Sequence, residues 1–263
     1  MRLPGIGDVP VRWSRELASE PSSVTVTVDA AARYHASFVV EVPDSSLPSS
    51  SWEVGIDLGL THFAVLSDGR KVDAPRIARK AAAKLRRAQK ELARRRRGSN
   101  NREKSRRKVA RCHVRVGDTR RDWLHKLSTT VVRENQLIAV EDLAVSGLAR
   151  ARLARSVHDA GWSIFVGMLT YKAQRAGRVL VKVDRWLPST RACSVCGAVG
   201  EAKPLHVRTW TCECGAVHDR DINAARNILA AGRAERPTPV ELMSAAPSGA
   251  QSAVKQEPAG STA

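Results

Sequence analysis

Three acidic residues lie where charged side chains are unexpected. Asp57 falls in the middle of an otherwise apolar, strand-like run (WEVGIDLGL), Glu141 ends a second apolar run, and Asp221 opens a helix-like one. An ionised carboxylate in a protein interior is costly unless it is paired or binds a metal. Taken singly, Asp57 also fits a solvent-facing residue of an edge strand, and Asp221 fits a helix N-cap.

Taken together, the three carboxylates predict metal chemistry. Strand ends and a helix start that are far apart in sequence can meet at one edge of a mixed sheet, and hard divalent cations prefer such oxygen ligands. Two metals about 3.5–4 Å apart can activate a water and stabilise the leaving oxygen of a phosphodiester. We therefore expect Asp57, Glu141 and Asp221 to bind Mg²⁺ (or Mn²⁺) and to be catalytic. Asp142 should point away, because side chains alternate along a strand.

Four of the five cysteines predict a second metal site. A Cys-x-x-Cys pair is followed, after fifteen residues, by a Cys-x-Cys pair. Tetrahedral thiolate sets bind zinc, and a small lobe with little core needs such a crosslink. The favoured ligands are Cys193, Cys196, Cys212 and Cys214. Because the second pair is one residue shorter than usual, replacement of one thiolate by His218 or His206 remains open. Cys112 is interpreted as a small packed residue.

The net charge of +18 is concentrated in one segment. Residues 76–122 contain 20 Lys and Arg but only four acidic residues, which accounts for +16 of the total. With so few acidic neighbours the segment cannot neutralise itself, so a polyanionic partner is expected. The predicted nucleic-acid-binding residues are Arg86, Arg87, Lys90, Arg94, Arg95, Arg96, Arg97, Lys104, Arg106, Arg107, Lys108 and Arg111.

The elements that position these groups follow from the periodicity. The sequence predicts a β-hairpin within residues 1–48, a three-stranded meander over 53–77, two basic helices over 78–132, a strand at 137–140, one helix over 156–178, a strand at 178–183 and a final helix after Asp221. This order matches an α/β, ribonuclease-H-like mixed sheet with packed helices. The tail over 233–263 is rich in Pro, Ala, Ser and Gly, so we expect it to be disordered.

Four motifs resemble the TnpB (OrfB) family, which bacterial insertion sequences encode and which is related to type V CRISPR effector nucleases. They are GIDLGLTHFAVLSDG, IAVEDL, CSVCG and HDRDINAARNI. The likeness extends over residues 1–232, including the basic helices. It implies a RuvC-like nuclease domain over 52–232, with a basic helical insertion at 76–132 and a zinc ribbon at 186–218. Asp221, which precedes x-Asn-Ala-Ala, is then the catalytic member rather than Asp219.

The resemblance also implies an activity and partners. We expect a transposon-associated, RNA-guided DNA endonuclease that binds DNA and a guide RNA from the transposon end and requires Mg²⁺ (or Mn²⁺) and Zn²⁺. The alternatives are a nuclease-silent DNA/RNA-binding transposition accessory or repressor, and a truncated non-functional copy. Family members carry a further N-terminal wedge segment and a helical lobe, so residues 1–48 are interpreted as a partial wedge and the chain as N-terminally truncated.

Two further expectations concern the cellular location of the protein and the contacts of two tryptophans. No run of apolar residues is long enough to cross a membrane, and the N-terminus lacks a signal-peptide pattern, so we expect a cytoplasmic, nucleoid-associated protein with no membrane partner. Trp186 and Trp210 either pack against the ribbon or stack on bases, and packing is favoured. The sequence does not specify an oligomeric state.

Overall fold

The computed structural model describes residues 1–3, 5–43, 45–148, 154–204 and 206–236. Most of the tail for which disorder is expected lies outside the described residues; its first residues, Arg233 and Ala234, still belong to the last helix. Among the described residues, no helix combines the length and apolar character that a membrane crossing requires. The chain divides into two compact units, which are residues 1–43 with 84–122, and residues 45–83 with 123–236, counting described residues.

A five-stranded mixed sheet forms the centre of the second unit. Its strands occur in the order β7-β6-β5-β8-β9, and they are β5 (Glu53–Leu58), β6 (His62–Leu66), β7 (Lys71–Asp73), β8 (Leu137–Glu141) and β9 (Val179–Val183). The first three are an antiparallel meander, while β8 runs parallel to both β5 and β9. The predicted mixed α/β fold is therefore confirmed, because this order and these directions are those of a ribonuclease-H-like sheet.

The sheet of this unit is accompanied by helices. They are α3 (Val145–Leu148), α4 (Ala154–Ala160), α5 (Trp162–Arg175), α6 (Arg220–Ala234) and the ends of two longer helices, α1 (Ile77–Ala93) and α2 (Asn100–Glu134). Phe63, Phe165 and Leu124 lie in the larger core, which contains residues of α2 and α5. A smaller core places Ile228 of α6 against residues of β8 and β9.

Helix α6 approaches the sheet very closely. A Cβ at Gly55 would lie 2.0 Å from the carbonyl oxygen of Ala225, and one at Gly232 would lie 2.4 Å from the Cβ of Ala139. Real side chains do not tolerate such distances, so glycine is required at both contacts. The backbone of α6, which carries Asp221, therefore lies directly against β5 at Gly55 and against the Ala139 side chain of β8 at Gly232.

The prediction of a single helix over 156–178 is wrong in one respect. The chain forms two helices, α4 and α5, because Gly161 between them has a left-handed conformation with φ of 73°. Only glycine adopts such a conformation without a steric cost. The side chains expected on the buried face, including Trp162, Phe165 and Leu169, are nevertheless buried.

The first unit contains the predicted hairpin, formed by β3 (Ser23–Val28) and β4 (Tyr34–Val39), a short pair of strands, β1 (Arg2–Leu3) and β2 (Gly7–Asp8), and the basic parts of α1 and α2. Arg33 in the hairpin turn pairs with Asp29 and, at 2.8 Å, with Asp118 of α2. Trp13 stacks on Phe38 at 5.3 Å between ring centres. Whether this segment is a partial wedge stays a prediction.

Candidate active site and metal centre

Asp57 and Glu141 lie side by side on neighbouring parallel strands. Ile56 of β5 is paired with Val140 of β8, and Asp57 and Glu141 are the next residue on each strand. Strand β8 ends at Glu141 and β5 ends one residue after Asp57, and the carboxyl ends of parallel strands share one edge of the sheet. Pairing of Asp57 with Val65 of β6 shows that β5 is an internal strand, so the edge-strand interpretation of Asp57 is wrong.

Asp221 reaches the same edge from the first turn of α6. Burial, together with the negative charges of Glu141 and Asp221, raises the pKa of Asp57 to about 7, and the positive charge of Arg220 opposes this rise. Asp57 retains some exposed surface, but the surrounding protein removes most of the hydration of its carboxylate. Three mutually repelling carboxylates with oxygen donors fit a divalent cation, which would relieve that repulsion.

The N-cap of α6 is Asp219, not Asp221. One oxygen of Asp219 accepts hydrogen bonds from the backbone N–H groups of Asp221 and Ile222, both at 3.1 Å. Its other oxygen lies 2.6 Å from Lys71 Nζ. The capping interpretation of Asp221 is therefore wrong, and its carboxylate has no capping role. The contact made by Asp221 is with Arg208 Nη1, at 3.4 Å from each oxygen.

Glu141 and Asp142 have different environments, as the strand alternation predicts. Glu141 Oε1 accepts a 2.7 Å hydrogen bond from Ser189 Oγ. Asp142 instead pairs with Arg185 at 2.5 Å and is well exposed. Sequence reasoning missed Ser189, Lys71 and Arg208, although Ser189 stands in a distinctive position in LPSTRAC, between β9 and the first cysteine pair.

The four predicted cysteines come together, since one ligand atom from each lies within 4.8 Å of every other. Cys193 Sγ is 3.8 Å from Cys214 Sγ, and Cys196 Sγ is 3.7 Å from Cys212 Sγ. In a tetrahedron with zinc–sulfur bonds of about 2.3 Å, the sulfurs are about 3.8 Å apart. These residues therefore fit a zinc ion. A hydrogen bond from the backbone N–H of Cys196 lowers the pKa of Cys193 to about 5, which favours the thiolate that a metal requires.

The short Cys-x-Cys spacing is accommodated by a tighter turn. After the first pair, the N–H of Gly197 donates to the carbonyl of Cys193, four residues back. After the second pair, the N–H of Gly215 donates to the carbonyl of Cys212, only three residues back. Both glycines have positive φ, 77° and 86°, so each turn closes without strain. The flanking strands are β10 (Thr209–Thr211) and β11 (Val217–Asp219).

Neither candidate histidine is a member of the cysteine cluster found among the described residues. His218 is buried, and its Nε2 lies 3.1 Å from Cys193 Sγ, where it can hydrogen bond to the sulfur. His206 is exposed. Trp210 packs near His218, with 4.6 Å between ring centres, whereas Trp186 is 84% exposed and does not pack. For Trp186 the packing interpretation is wrong.

The predicted nucleic-acid-binding residues lie on α1, on α2 and in the connection between them, all in the first unit. The expectation that acidic partners are missing needs correction. Glu103 pairs with Arg106 and Arg107, and Glu91 pairs with Lys108 and Arg95. Within the described part of the chain, the other eight predicted residues have no carboxylate partner. These eight are Arg86, Arg87, Lys90, Arg94, Arg96, Arg97, Lys104 and Arg111.

The sheet order and the helices on both faces define a mixed α/β fold of the ribonuclease-H-like class. The fold resembles that of a chain in the cryo-EM structure of a CRISPR-Cas12f ternary complex, with a TM-score of 0.55 and 17% identity over 81% of this chain and 46% of that one. Residues 37–152 match the OrfB_IS605 family, described as a probable transposase, and residues 162–228 match the Cas12f1-like TNB domain. Over these residues the chain is similar to the OrfB, or TnpB-like, family, and the inferred resemblance is confirmed.

Two bacterial relatives support this assignment. A protein of Streptomyces pristinaespiralis named "Putative RNA-guided DNA endonuclease" is 48% identical over 96% of this chain. The Escherichia coli K12 protein named "Putative RNA-guided DNA endonuclease InsQ" is 33% identical over 88% of this chain. The chain spans 64% and 62% of the lengths of these two relatives.

Proposed function

We propose that this chain provides the nuclease part of a transposon-associated, RNA-guided DNA endonuclease that hydrolyses phosphodiester bonds with the help of a divalent metal. The observation that carries the proposal is the placement of Asp57 and Glu141 at neighbouring positions of two adjacent parallel strands, with Asp221 close enough to raise the pKa of Asp57. The family match and the names of the relatives support the same activity.

The roles of the carboxylates follow from their positions. Asp57 and Glu141 would hold Mg²⁺ or Mn²⁺ from the sheet, and Asp221 would hold it from the start of α6. A cation held by these three carboxylates would supply an activated water and stabilise the charge that develops on the leaving oxygen. Asp219 caps the helix and keeps Asp221 at the edge of the sheet, and Arg220 moderates the excess negative charge around Asp57.

The ribbon would hold Zn²⁺ through Cys193, Cys196, Cys212 and Cys214. Its hairpin, β10 and β11, runs directly into α6, so a stable ribbon fixes the start of the helix that carries Asp221. The role proposed for zinc is therefore structural.

The partners proposed are DNA and a guide RNA from the transposon end. The eight predicted basic residues without carboxylate partners would contact phosphates of guide, target or heteroduplex, since a charge of this density attracts a polyanion. Work on chromosomal or plasmid DNA would place the protein in the cytoplasm, with the nucleoid when bound.

The test is cleavage by the purified chain, together with any RNA that co-purifies, on DNA in the presence and absence of Mg²⁺ or Mn²⁺. Asp57→Ala, Glu141→Ala and Asp221→Ala should each abolish metal-dependent cleavage while nucleic-acid binding persists. Asp142→Ala is the matched control, since this neighbouring carboxylate pairs with Arg185 and should leave cleavage unchanged. Full cleavage by Asp221→Ala would refute the site.

Sequencing the co-purified RNA separates guided from unguided binding. A discrete transcript from the transposon end supports a guide, whereas random RNA supports a nonspecific binding protein. The nuclease-silent alternative predicts nucleic-acid binding with no cleavage by the wild-type chain under any metal condition.

A further inference from the structure

The side chain of Ser189 is directed at one of the proposed metal-binding carboxylates. Its Oγ lies 2.7 Å from Glu141 Oε1. An ionised carboxylate can only accept, so the serine hydroxyl is the donor. Within the described residues, Oε1 is the only oxygen of Glu141 with a protein partner, which leaves Oε2 available to a metal.

Ser189 is itself held in place by backbone contacts. The residue is only 5% exposed. Its N–H donates to the carbonyl of Leu187 at 2.7 Å, and its carbonyl accepts from Asn227 Nδ2, also at 2.7 Å. Both its N–H and its carbonyl are thus hydrogen bonded, which fixes the position from which the hydroxyl reaches Glu141.

Two asparagines of α6 connect Ser189 to the cysteine ribbon. The Nδ2 atoms of Asn223 and Asn227 each donate to the carbonyl of Ala192 at 2.8 Å. Asn223 Oδ1 accepts from the N–H of Ser194 at 2.9 Å, between two of the cysteines. Asn223 is 1% exposed, so these hydrogen bonds are not shared with bulk water. One network therefore joins the first cysteine pair, the helix that carries Asp221, and the serine bonded to Glu141.

A satisfied buried hydroxyl is a simpler explanation of Ser189, and Ser194 allows a comparison. Ser194 Oγ is also buried, five residues further on, but finds no hydrogen-bond partner in the part of the chain that the structure describes. Burial in this loop thus does not require a partner. Ser189, in contrast, hydrogen bonds to the carboxylate of Glu141, although burial alone does not require this contact.

We propose that Ser189 is a positioning residue, which orients Glu141 for the metal and links that orientation to the ribbon. The inference rests on the proposed nuclease function. Groups that hydrogen bond to metal ligands typically contribute 10–100-fold to metal affinity or activity. The loss of one hydroxyl should therefore weaken metal binding, although Ser189 touches neither metal nor substrate.

The test measures Mn²⁺ binding to the substrate-free chain by electron paramagnetic resonance, with zinc content determined for every variant. Ser189→Ala should bind Mn²⁺ about tenfold more weakly than wild type, with zinc retained. Ser189→Thr, which keeps the hydroxyl, should recover most of the affinity, and Ser194→Ala should bind as wild type does. The Mn²⁺ concentration that gives half-maximal cleavage should shift in the same order.

Two results would overturn the proposal without touching the nuclease assignment. They are unchanged Mn²⁺ affinity in Ser189→Ala, and an equal loss in Ser189→Ala and Ser194→Ala, which would indicate loop packing alone. If wild type does not bind Mn²⁺, or if Asp221→Ala binds it as tightly as wild type does, the carboxylate site itself is refuted, and the role of Ser189 with it.

Discussion

Lys71 Nζ lies 2.6 Å from Asp219 Oδ2, so strand β7 is bonded to the residue that caps helix α6. Burial opposes ionisation of Asp219, but hydrogen bonds from Lys71 and from the N–H of Ile222 lower its pKa below the ordinary value. Both side chains of the pair are about one-third exposed, at 33% and 34%, so the ion pair alone contributes little. The larger contribution is the cap, which fixes the turn that carries Asp221.

Substitution of Asp219 should separate capping from catalysis. We expect Asp219→Ala to lower the free energy of unfolding by about 1–2 kcal/mol, since a lost N-cap costs about 1 kcal/mol. Asp219→Asn retains a capping oxygen and should lose less than about 1 kcal/mol, as should Lys71→Ala. Urea unfolding measures these differences. If Asp219→Asn abolishes cleavage as completely as Asp221→Asn, Asp219 is a metal ligand and the assignment between the two is wrong.

The raised pKa of Asp57 predicts that the metal-free fold becomes less stable as pH rises. A carboxyl whose pKa is higher in the folded state than in the unfolded state binds more protons when folded, so its stabilising contribution is complete below pH 4 and is lost as pH approaches 7. The asparagine in Asp57→Asn cannot ionise, so this variant should lose the pH dependence. Its free energy of unfolding should exceed that of wild type by on the order of 2 kcal/mol at pH 8, in buffer that contains neither Mg²⁺ nor EDTA.

Thermal unfolding at a series of pH values measures this effect. Added Mg²⁺ should raise the melting temperature of wild type at pH 8, because the cation replaces the proton, but should not raise that of Asp57→Asn. Asp142→Asn is a suitable control, since its carboxylate is exposed and paired with Arg185. Identical pH profiles for wild type and Asp57→Asn would contradict the prediction.

Much of this architecture follows from local patterns. The apolar runs around Asp57 and Glu141 show where strands lie, and the order of strands and helices is enough to indicate a mixed sheet of the observed kind. Two misses come from single residues whose effect depends on backbone conformation. Gly161 divides a continuous apolar stripe, and Asp219 caps α6 two residues before Asp221 because β11 runs directly into the helix.

Several of the remaining misses concern partners that are distant in sequence. Glu91 reaches Lys108, seventeen residues away on another helix, and this ion pair exists only once α1 and α2 lie together. Ser189 and Glu141 are separated by 48 residues. Periodicity can assign a residue to a strand face, but it does not identify which side chain from another element lies opposite. Counting charges also overestimated the unpaired basic surface, because Glu103 pairs with Arg106 and Arg107 within the same helix.

The cysteine cluster predicts one zinc per chain. Cys214→Ser should lose zinc, since Cys214 Sγ lies at tetrahedral distance from Cys193 Sγ. His218→Ala should keep stoichiometric zinc but bind it about tenfold more weakly, because His218 hydrogen bonds to a ligand sulfur. Metal analysis and competition with a chelator measure both effects. Cys112→Ser is the control and should not change zinc content. If His218→Ala loses zinc and Cys214→Ser retains it, the histidine is a zinc ligand in place of the Cys214 thiolate.

The pairing of basic residues predicts unequal contributions to nucleic-acid binding. Arg106 and Arg107 donate to Glu103, whereas Arg96 and Arg97 have no carboxylate partner among the described residues. The slope of log K against log salt changes by about 0.9 for each duplex phosphate that the protein neutralises. We expect the double variant Arg96→Ala, Arg97→Ala to reduce the magnitude of this slope by roughly 1.8. The double variant Arg106→Ala, Arg107→Ala should reduce it by less than half as much.

Glu103→Gln provides the complementary measurement. Release of Arg106 and Arg107 from the carboxylate leaves both guanidinium groups available for phosphates, so binding should tighten at low salt and the slope should steepen. Fluorescence anisotropy with a labelled duplex between 50 and 200 mM salt, about the range over which such binding weakens by several powers of ten, is sensitive enough to separate the variants. Equal reductions in slope for the two double variants would show that the ion pairs with Glu103 do not restrict these arginines, and that the segment acts through its total charge alone.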